Sequence, residues 1–199
     1  EEEELIFTDE KVYDPSVSLR QKDRDTDEVY ISYSTPKTQN RTYLYNIKTK
    51  KKKLVKEQII PSGHEPNDYI VERLECPSHD GRVVPITITR HKNTPIDGSA
   101  ELLLYGYGSY GHSMSPTFSS TRLSLIKRNI IWATAHIRGG MERGMKWWKE
   151  GKLLNKKNTF KDYIACAKFL IEKKYTSKKK IIGMGGSAGG LLMGVVVNE

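Results

Sequence analysis

The chain has 199 residues, enough for one large domain or for one domain and part of a second. With 37% hydrophobic and 29% charged residues it has the composition of a soluble chain, and the apolar run Leu191 to Val197 is far too short to cross a bilayer, so no membrane partner is expected. The net charge of +9 raises nucleic acid as a partner, but the lysines come in short blocks (Lys50 to Lys53, Lys156-Lys157, Lys173-Lys174, Lys178 to Lys180) at turns and element ends, without interleaved aromatics. That is the pattern of a solvated surface, and no nucleic-acid partner is expected.

Residues 1 to about 28 are polar, with Phe7, Val12, Tyr13, Val17 and Leu19 hinting at one or two short extended segments. Val29 to Ser34 then alternates as a strand should, Thr35 to Asn40 reads as a turn, Thr42 to Ile47 as a second strand and Lys53 to Lys56 as a third. Short strands joined by tight turns make an antiparallel meander, the unit of a propeller blade, and one such sheet needs neighbours to bury both its faces. Pro61 to Pro66 reads as a linker. Tyr69 to Cys76 and Val83 to Arg90 predict a long hairpin turning at Asp80-Gly81.

From Leu102 the pattern changes to apolar strands alternating with helices: a strand at Leu102 to Tyr105, a helix over Phe118 to Arg128 and a strand at Ile130 to Ala135. A helix to about Lys173, capped by Asn158-Thr159, and a buried strand at Lys180 to Gly183 follow. This alternation predicts an α/β layer with a largely parallel sheet.

Two cysteines, Cys76 and Cys166, lie far apart in sequence, and neither has a second cysteine or a histidine at metal-ligand spacing. Free thiols in a reducing, cytoplasmic setting are the simplest account, and no metal or cofactor is expected.

Gly185-Gly186-Ser187-Ala188-Gly189 matches G-x-S-x-G, in which a serine sits on a sharp turn between a strand and a helix. The glycines and Ala188 are expected to give the strained turn its room. The helix beginning just past Ser187 is expected to aim backbone N–H groups at developing negative charge. A serine hydroxyl needs a base, and the base needs an orienting carboxylate. Yet His64, His79, His91, His112 and His136 all precede Ser187, whereas the expected order is serine, acid, histidine. His136, ending a strand, and His112, in a glycine-rich loop, are weak candidates for that base and read better as structural residues. The Ala188 N–H is one oxyanion donor by the geometry of the turn, and the Tyr105 to Gly111 loop is placed to supply a second.

Four stretches carry a resemblance: Leu104-Tyr105-Gly106-Tyr107-Gly108-Ser109-Tyr110-Gly111, His136-Ile137-Arg138-Gly139-Gly140, Trp147 to Phe160, and Gly185 to Gly190. In this order they are similar to the prolyl oligopeptidase family of serine peptidases, with the oligopeptidase B branch the best match. Met141 departs from the family's third glycine after Arg138. The resemblance implies the N-terminal part of an α/β-hydrolase domain over 67–199, preceded over 1–66 by a partial β-propeller, its last blade. It implies cleavage of short peptides after Lys or Arg, with Ser187 as nucleophile, the Tyr107 hydroxyl and the Ala188 N–H as oxyanion donors, and Tyr110 near the wall of the substrate pocket.

The family's aspartate and histidine, and the acids that would hold a basic side chain, match nothing in this sequence. The chain starts without methionine and stops about three turns past Ser187, so it is expected to be a fragment, inactive alone. Two alternatives stand beside this: an esterase or lipase using the same serine, and a non-catalytic remnant or a half that pairs with a second polypeptide carrying the aspartate and histidine.

Overall fold

A computed structural model describes residues 10–19 and 26–199. Phe7 therefore lies outside the described residues. The described chain forms two compact units, one of residues up to Pro66 together with Pro116–Ser119, the other of Asn67–Ser115 and Ser120–Glu199.

The first unit is a four-stranded antiparallel sheet, β1 (Asp14–Leu19), β2 (Glu28–Ser34), β3 (Arg41–Asn46) and β4 (Lys52–Glu57), in sequential order. The turns have local chemical causes. Thr35 Oγ1 accepts from the Thr38 and Lys37 amides between β2 and β3, and Asn46 Oδ1 accepts from the Lys48 and Thr49 amides between β3 and β4. Ile31, Tyr33 and Tyr45 are buried, whereas Val17 and Leu19 on β1 are exposed.

The second unit is a five-stranded mixed sheet in the order β5-β6-β8-β7-β9, with β5 (Tyr69–Pro77), β6 (Val83–His91), β7 (Leu102–Gly106), β8 (Ile131–Ala135) and β9 (Ile181–Met184). Strands β8, β7 and β9 are parallel, while β5 and β6 are antiparallel, so the expectation of a largely parallel sheet holds only for that half. The reason is the hairpin: a short connection can join β5 to β6 only antiparallel, and β6 then docks antiparallel on β8. The hairpin turn is a five-residue loop, Ser78–Arg82, rather than a tight Asp80-Gly81 turn; the Ser78 amide donates to Arg82 O, and Gly81 sits at φ +78°.

Four helices pack in this unit, α1 (Ser120–Ile126), α2 (Gly144–Lys149), α3 (Lys157–Glu172) and α4 (Ala188–Asn198). Helix α1 is shorter than predicted. The Phe118 amide donates instead to Ser34 Oγ, and Asn129, at φ +64°, ends the C-terminal turn.

Asn158-Thr159 is not the cap of α3 but lies inside it, because both side chains are used elsewhere. Asn158 Nδ2 donates to Glu150 O, and Thr159 Oγ1 donates to Arg138 O and Gly151 O. Helix α3 buries Asp162, Tyr163, Cys166 and Leu170, a stripe at three- and four-residue spacing. Tyr163 Oη donates to Leu104 O at 2.6 Å, fastening α3 to β7.

Cys76 and Cys166, distant in sequence, are both wholly buried in this core as free thiols, and Cys76 Sγ donates to Pro77 O. Burial raises the Cys166 thiol well above its ordinary value.

Strand β9 departs from expectation. The strand was expected to be buried, but among the described residues β9 pairs with β7 alone, and Ile182 and Met184 are exposed. In α4 only Gly189 and Leu192 are buried. Among the described residues, no helix is long and apolar enough to cross a membrane.

Candidate active site

β9 ends at Met184 and α4 starts at Ala188, leaving three residues to reverse the chain. Ser187 absorbs the reversal at φ +54°, ψ −119°, a region that residues with a Cβ rarely enter. Holding a serine there costs about 1–3 kcal/mol, which the surrounding packing must offset. The side chain is exposed.

The room predicted for the glycines is needed at two of them. A Cβ on Gly185 would stand 2.6 Å from Gly189 O and 3.0 Å from Gly106 O, and one on Gly189 would stand 2.9 Å from Gly106 O. At Gly186 and Gly190 a Cβ would meet nothing within 4 Å. The Gly189 and Gly190 amides are spent on Gly186 O and Ser187 O, whereas the Ala188 N–H is given to no other backbone carbonyl among the described residues.

Parallel pairing sets Tyr105 of β7 opposite Met184 of β9. The loop after β7 and the turn after β9 therefore leave the sheet side by side, at the carboxyl ends where ligands bind in open α/β sheets. Tyr107, half-buried, lies against the first turn of α4: a Cβ on Gly189 would be 3.7 Å from both its Cα and its Cδ2. Ser187, Ala188 and Tyr107 are thus brought together. Tyr110 is 81% exposed, at φ +58°, and lines a cavity of about 460 Å³ that also reaches Ala188.

Four hydrogen bonds that the sequence did not announce hold the Tyr107 loop and the residues just after it. Lys156 Nζ donates to Gly108 O (2.5 Å) and to Ser109 Oγ (2.8 Å). The Gly111 amide donates to Gly139 O, and the Met114 amide donates to Glu142 Oε1. Gly108, at φ +65°, is wedged so tightly that an added Cβ would collide with Thr159 and stand 2.8 Å from Ile137. Burial lowers the Lys156 ammonium from its ordinary value.

Beneath lies a buried charge pair, also missed in sequence. Arg138, 1% exposed, donates from Nη2 and Nε to the Asp162 carboxylate (2.6 and 2.8 Å) and from Nη1 to Asp80 (2.5 Å). The Arg138 amide and Ser78 Oγ bring the donors on Asp162 to four. Burial alone would lower the guanidinium, but the bonds to Asp162 and Asp80 outweigh it and raise it. The one signal in sequence was a lone arginine between Ile137 and Gly139, following an apolar strand.

The histidines are dispersed. His64 belongs to the first unit, its Nε2 at 2.6 Å from Lys37 O. His79 lies in the β5–β6 loop, and His91 ends β6 with its ring edge-on to Tyr69. His136 is buried, with Nε2 2.8 Å from Thr87 Oγ1 and Nδ1 3.5 Å from Glu142 Oε1. His112 is exposed, its ring edge-on to Tyr107 at 5.5 Å.

The model of the prolyl oligopeptidase family matches residues 116–199. The chain is 42% identical to dipeptidyl aminopeptidase BI of Pseudoxanthomonas mexicana, over 98% of this chain and 27% of that protein. It is 40% identical to protease 2 of Moraxella lacunata, over 97% of this chain and 28% of that one. Among solved structures it resembles oligopeptidase B from Trypanosoma brucei with covalently bound antipain, with a TM-score of 0.88 and 37% identity over 96% of this chain and 27% of that one. Oligopeptidase B from Leishmania major gives a TM-score of 0.85 and 36% identity over 96% of this chain and 27% of that one. The chain spans about a quarter of the length of the curated relatives it matches. With ordered motifs, pairing and fold in agreement, the chain belongs to the prolyl oligopeptidase family.

Proposed function

We propose that this chain carries the nucleophile and oxyanion site of an oligopeptidase B-like serine endopeptidase that hydrolyses short peptides after Lys or Arg. Ser187 attacks the scissile carbonyl. The Ala188 N–H and the Tyr107 hydroxyl donate to the oxygen as it gains charge, and Tyr110 stands at the wall of the substrate pocket. The observation that carries this reading is the strained φ of Ser187 between β9 and α4, with Tyr107 packed on the first turn of that helix. Donors fixed in advance at the place where charge develops are the largest single source of acceleration in acyl transfer.

The general base and its acid are proposed to come from a second polypeptide segment. Four of the five histidines are engaged away from Ser187, and His112 packs on the oxyanion tyrosine rather than on a carboxylate. The first unit's four-stranded meander is proposed to be a propeller blade, which would restrict access to short peptides. A cytoplasmic setting is proposed from the two buried free thiols. The esterase alternative gains no support from the relatives, whose names are those of peptidases.

The test is cleavage of a fluorogenic arginyl peptide by the chain alone and by the chain combined with a polypeptide carrying the C-terminal part of an oligopeptidase B. Turnover is expected only in the combination. Ser187→Ala is expected to abolish it, and Tyr107→Phe to lower kcat by about 10²-fold or more with little change in KM. Turnover that survives Ser187→Ala would refute the assignment.

A further inference from the structure

The Ala188 N–H and the Tyr107 hydroxyl come from different segments, and nothing local to either fixes the distance between them. The register that pairs β7 with β9 ends at Tyr105 and Met184, before Tyr107 and Ser187 are reached. A third element braces them. Tyr163 of α3, 2% exposed, lies under the ends of both strands.

The Tyr163 ring is pressed on Gly106, the residue before Tyr107. A Cβ there would stand 2.7 Å from Cδ2 and 2.8 Å from Cε2 of the ring, closer than carbon atoms approach. The same Cβ would stand 3.0 Å from Leu192 Cδ2, so α4, which starts just after Ser187, closes on this point as well. At the far end of the ring, Oη donates to Leu104 O of β7 at 2.6 Å, and a Cβ on Gly183 of β9 would be only 3.2 Å from it. Leu104 and Gly183 are opposite each other in the two strands, so the hydroxyl sits on their seam. One side chain thus touches β7 and β9 and shares a contact point with α4.

Glycine weakens a strand, and one in each of two adjacent strands marks a close approach. Here Tyr163 is what approaches both. Burial raises its phenol above the ordinary value, so the hydroxyl keeps its proton and stays a donor to Leu104 O. Tyr163, Leu104, Gly106 and Leu192 are all buried, so the brace does not depend on what covers the outer surface. Spacing matters because a misplacement of about 1 Å at a reaction centre can cost roughly 10²-fold in rate.

We propose that Tyr163 is a positioning residue for the oxyanion site: it sets the spacing between the Ser187 turn and the Tyr107 loop by bracing β7, β9 and α4 on one side chain. This deepens the reading of Ser187 as nucleophile and Tyr107 as oxyanion donor, and rests on it.

The test uses Tyr163→Phe, which keeps the ring and removes only the hydroxyl. In the 199-residue chain, NMR reads the Overhauser contact between the Tyr107 ring (assigned with Tyr107→Phe) and the Gly189 α-protons. That contact is expected to be lost or weakened, while contacts within the β5–β6 hairpin stay. In the chain combined with the C-terminal part of an oligopeptidase B, Tyr163→Phe is expected to lower kcat about tenfold with little change in KM. In a Tyr107→Phe background the same change is expected to cost at most about twofold, because the group it positions is gone. Leu170→Ala, a core cavity elsewhere on α3, is expected to lower the melting temperature and keep the Overhauser contact.

An unchanged Tyr107–Gly189 contact in Tyr163→Phe would overturn the proposal. So would an equal loss of kcat in both backgrounds, or loss of the contact in Leu170→Ala as well. The Overhauser readout needs no turnover, so its failure leaves the nucleophile assignment standing, and loss of that assignment leaves the spacing readable.

Discussion

Tyr107 and Gly189 touch across the tops of two adjacent parallel strands, and this contact is what brings a loop phenol to the helix that starts after Ser187. A methyl on Gly189 would stand 2.9 Å from Gly106 O, inside any normal carbon contact, and the obstacle is backbone. Gly189→Ala is therefore expected to cost about 1–3 kcal/mol by overpacking and to move Tyr107. Gly190→Ala, where a Cβ meets nothing, is expected to be neutral or mildly stabilising. Urea unfolding of the two variants checks the contrast; equal midpoints would contradict it.

The strain at Ser187 can be measured without any assay of activity. Ser187→Gly removes the Cβ that makes φ +54° unfavourable and is expected to stabilise the fold by about 1 kcal/mol. Ser187→Ala keeps the Cβ and is expected to give no such gain. Chemical denaturation of both variants decides, and a gain shared by alanine would mean that the hydroxyl rather than the backbone carries the cost.

Arg138 and Asp162 are both almost wholly buried, so each is tolerable only because the other is there. Asp162→Asn is expected to destabilise by about 3–5 kcal/mol, because it strands a buried guanidinium. The loss should be larger than for Asp80→Asn, since the Asp80 side chain is 35% exposed and water can take its place. Thermal melts of the two variants test this ordering.

Burial holds the His136 imidazole below its ordinary value of 6.5, against the opposing pull of Glu142. The unfolded chain then binds a proton that the native state refuses, so stability should fall as pH drops from about 7 toward about 5. Glu142 is itself held below its ordinary 4.5, because the neighbouring His136 imidazole and the bond from the Met114 amide outweigh its burial. It adds a second loss as pH falls below that value. His136→Gln is expected to flatten the upper part of the profile. Urea midpoints at several pH values measure it, and an unchanged slope would exclude His136 as the source.

Much of the site could be read from short-range pattern because its physics is short-range. The glycines around Ser187 and the apolar residues before and after it predict a strand–turn–helix from a dozen neighbouring residues, and the turn residues around Thr35 and Asn46 predict the meander in the same way. Pairings between distant segments had no such signature. Asp162 lies 24 residues from Arg138, and Lys156 lies 48 from Gly108. Lysine, arginine and aspartate in sequence read first as surface charge, and only the packed chain removes the water that would make them so.

The sequence by itself determined that a serine is forced into a strained turn between an apolar strand and a helix, and that strands and helices alternate around it. Tertiary structure decided that β7 lies next to β9, so that Tyr107 meets α4, and that a hairpin makes the other half of the sheet antiparallel. It also decided that Arg138 pairs with Asp162. The physical reason is range: dihedral strain and turn chemistry act between neighbours in the chain, whereas strand order and charge burial depend on which distant segments exclude water from each other.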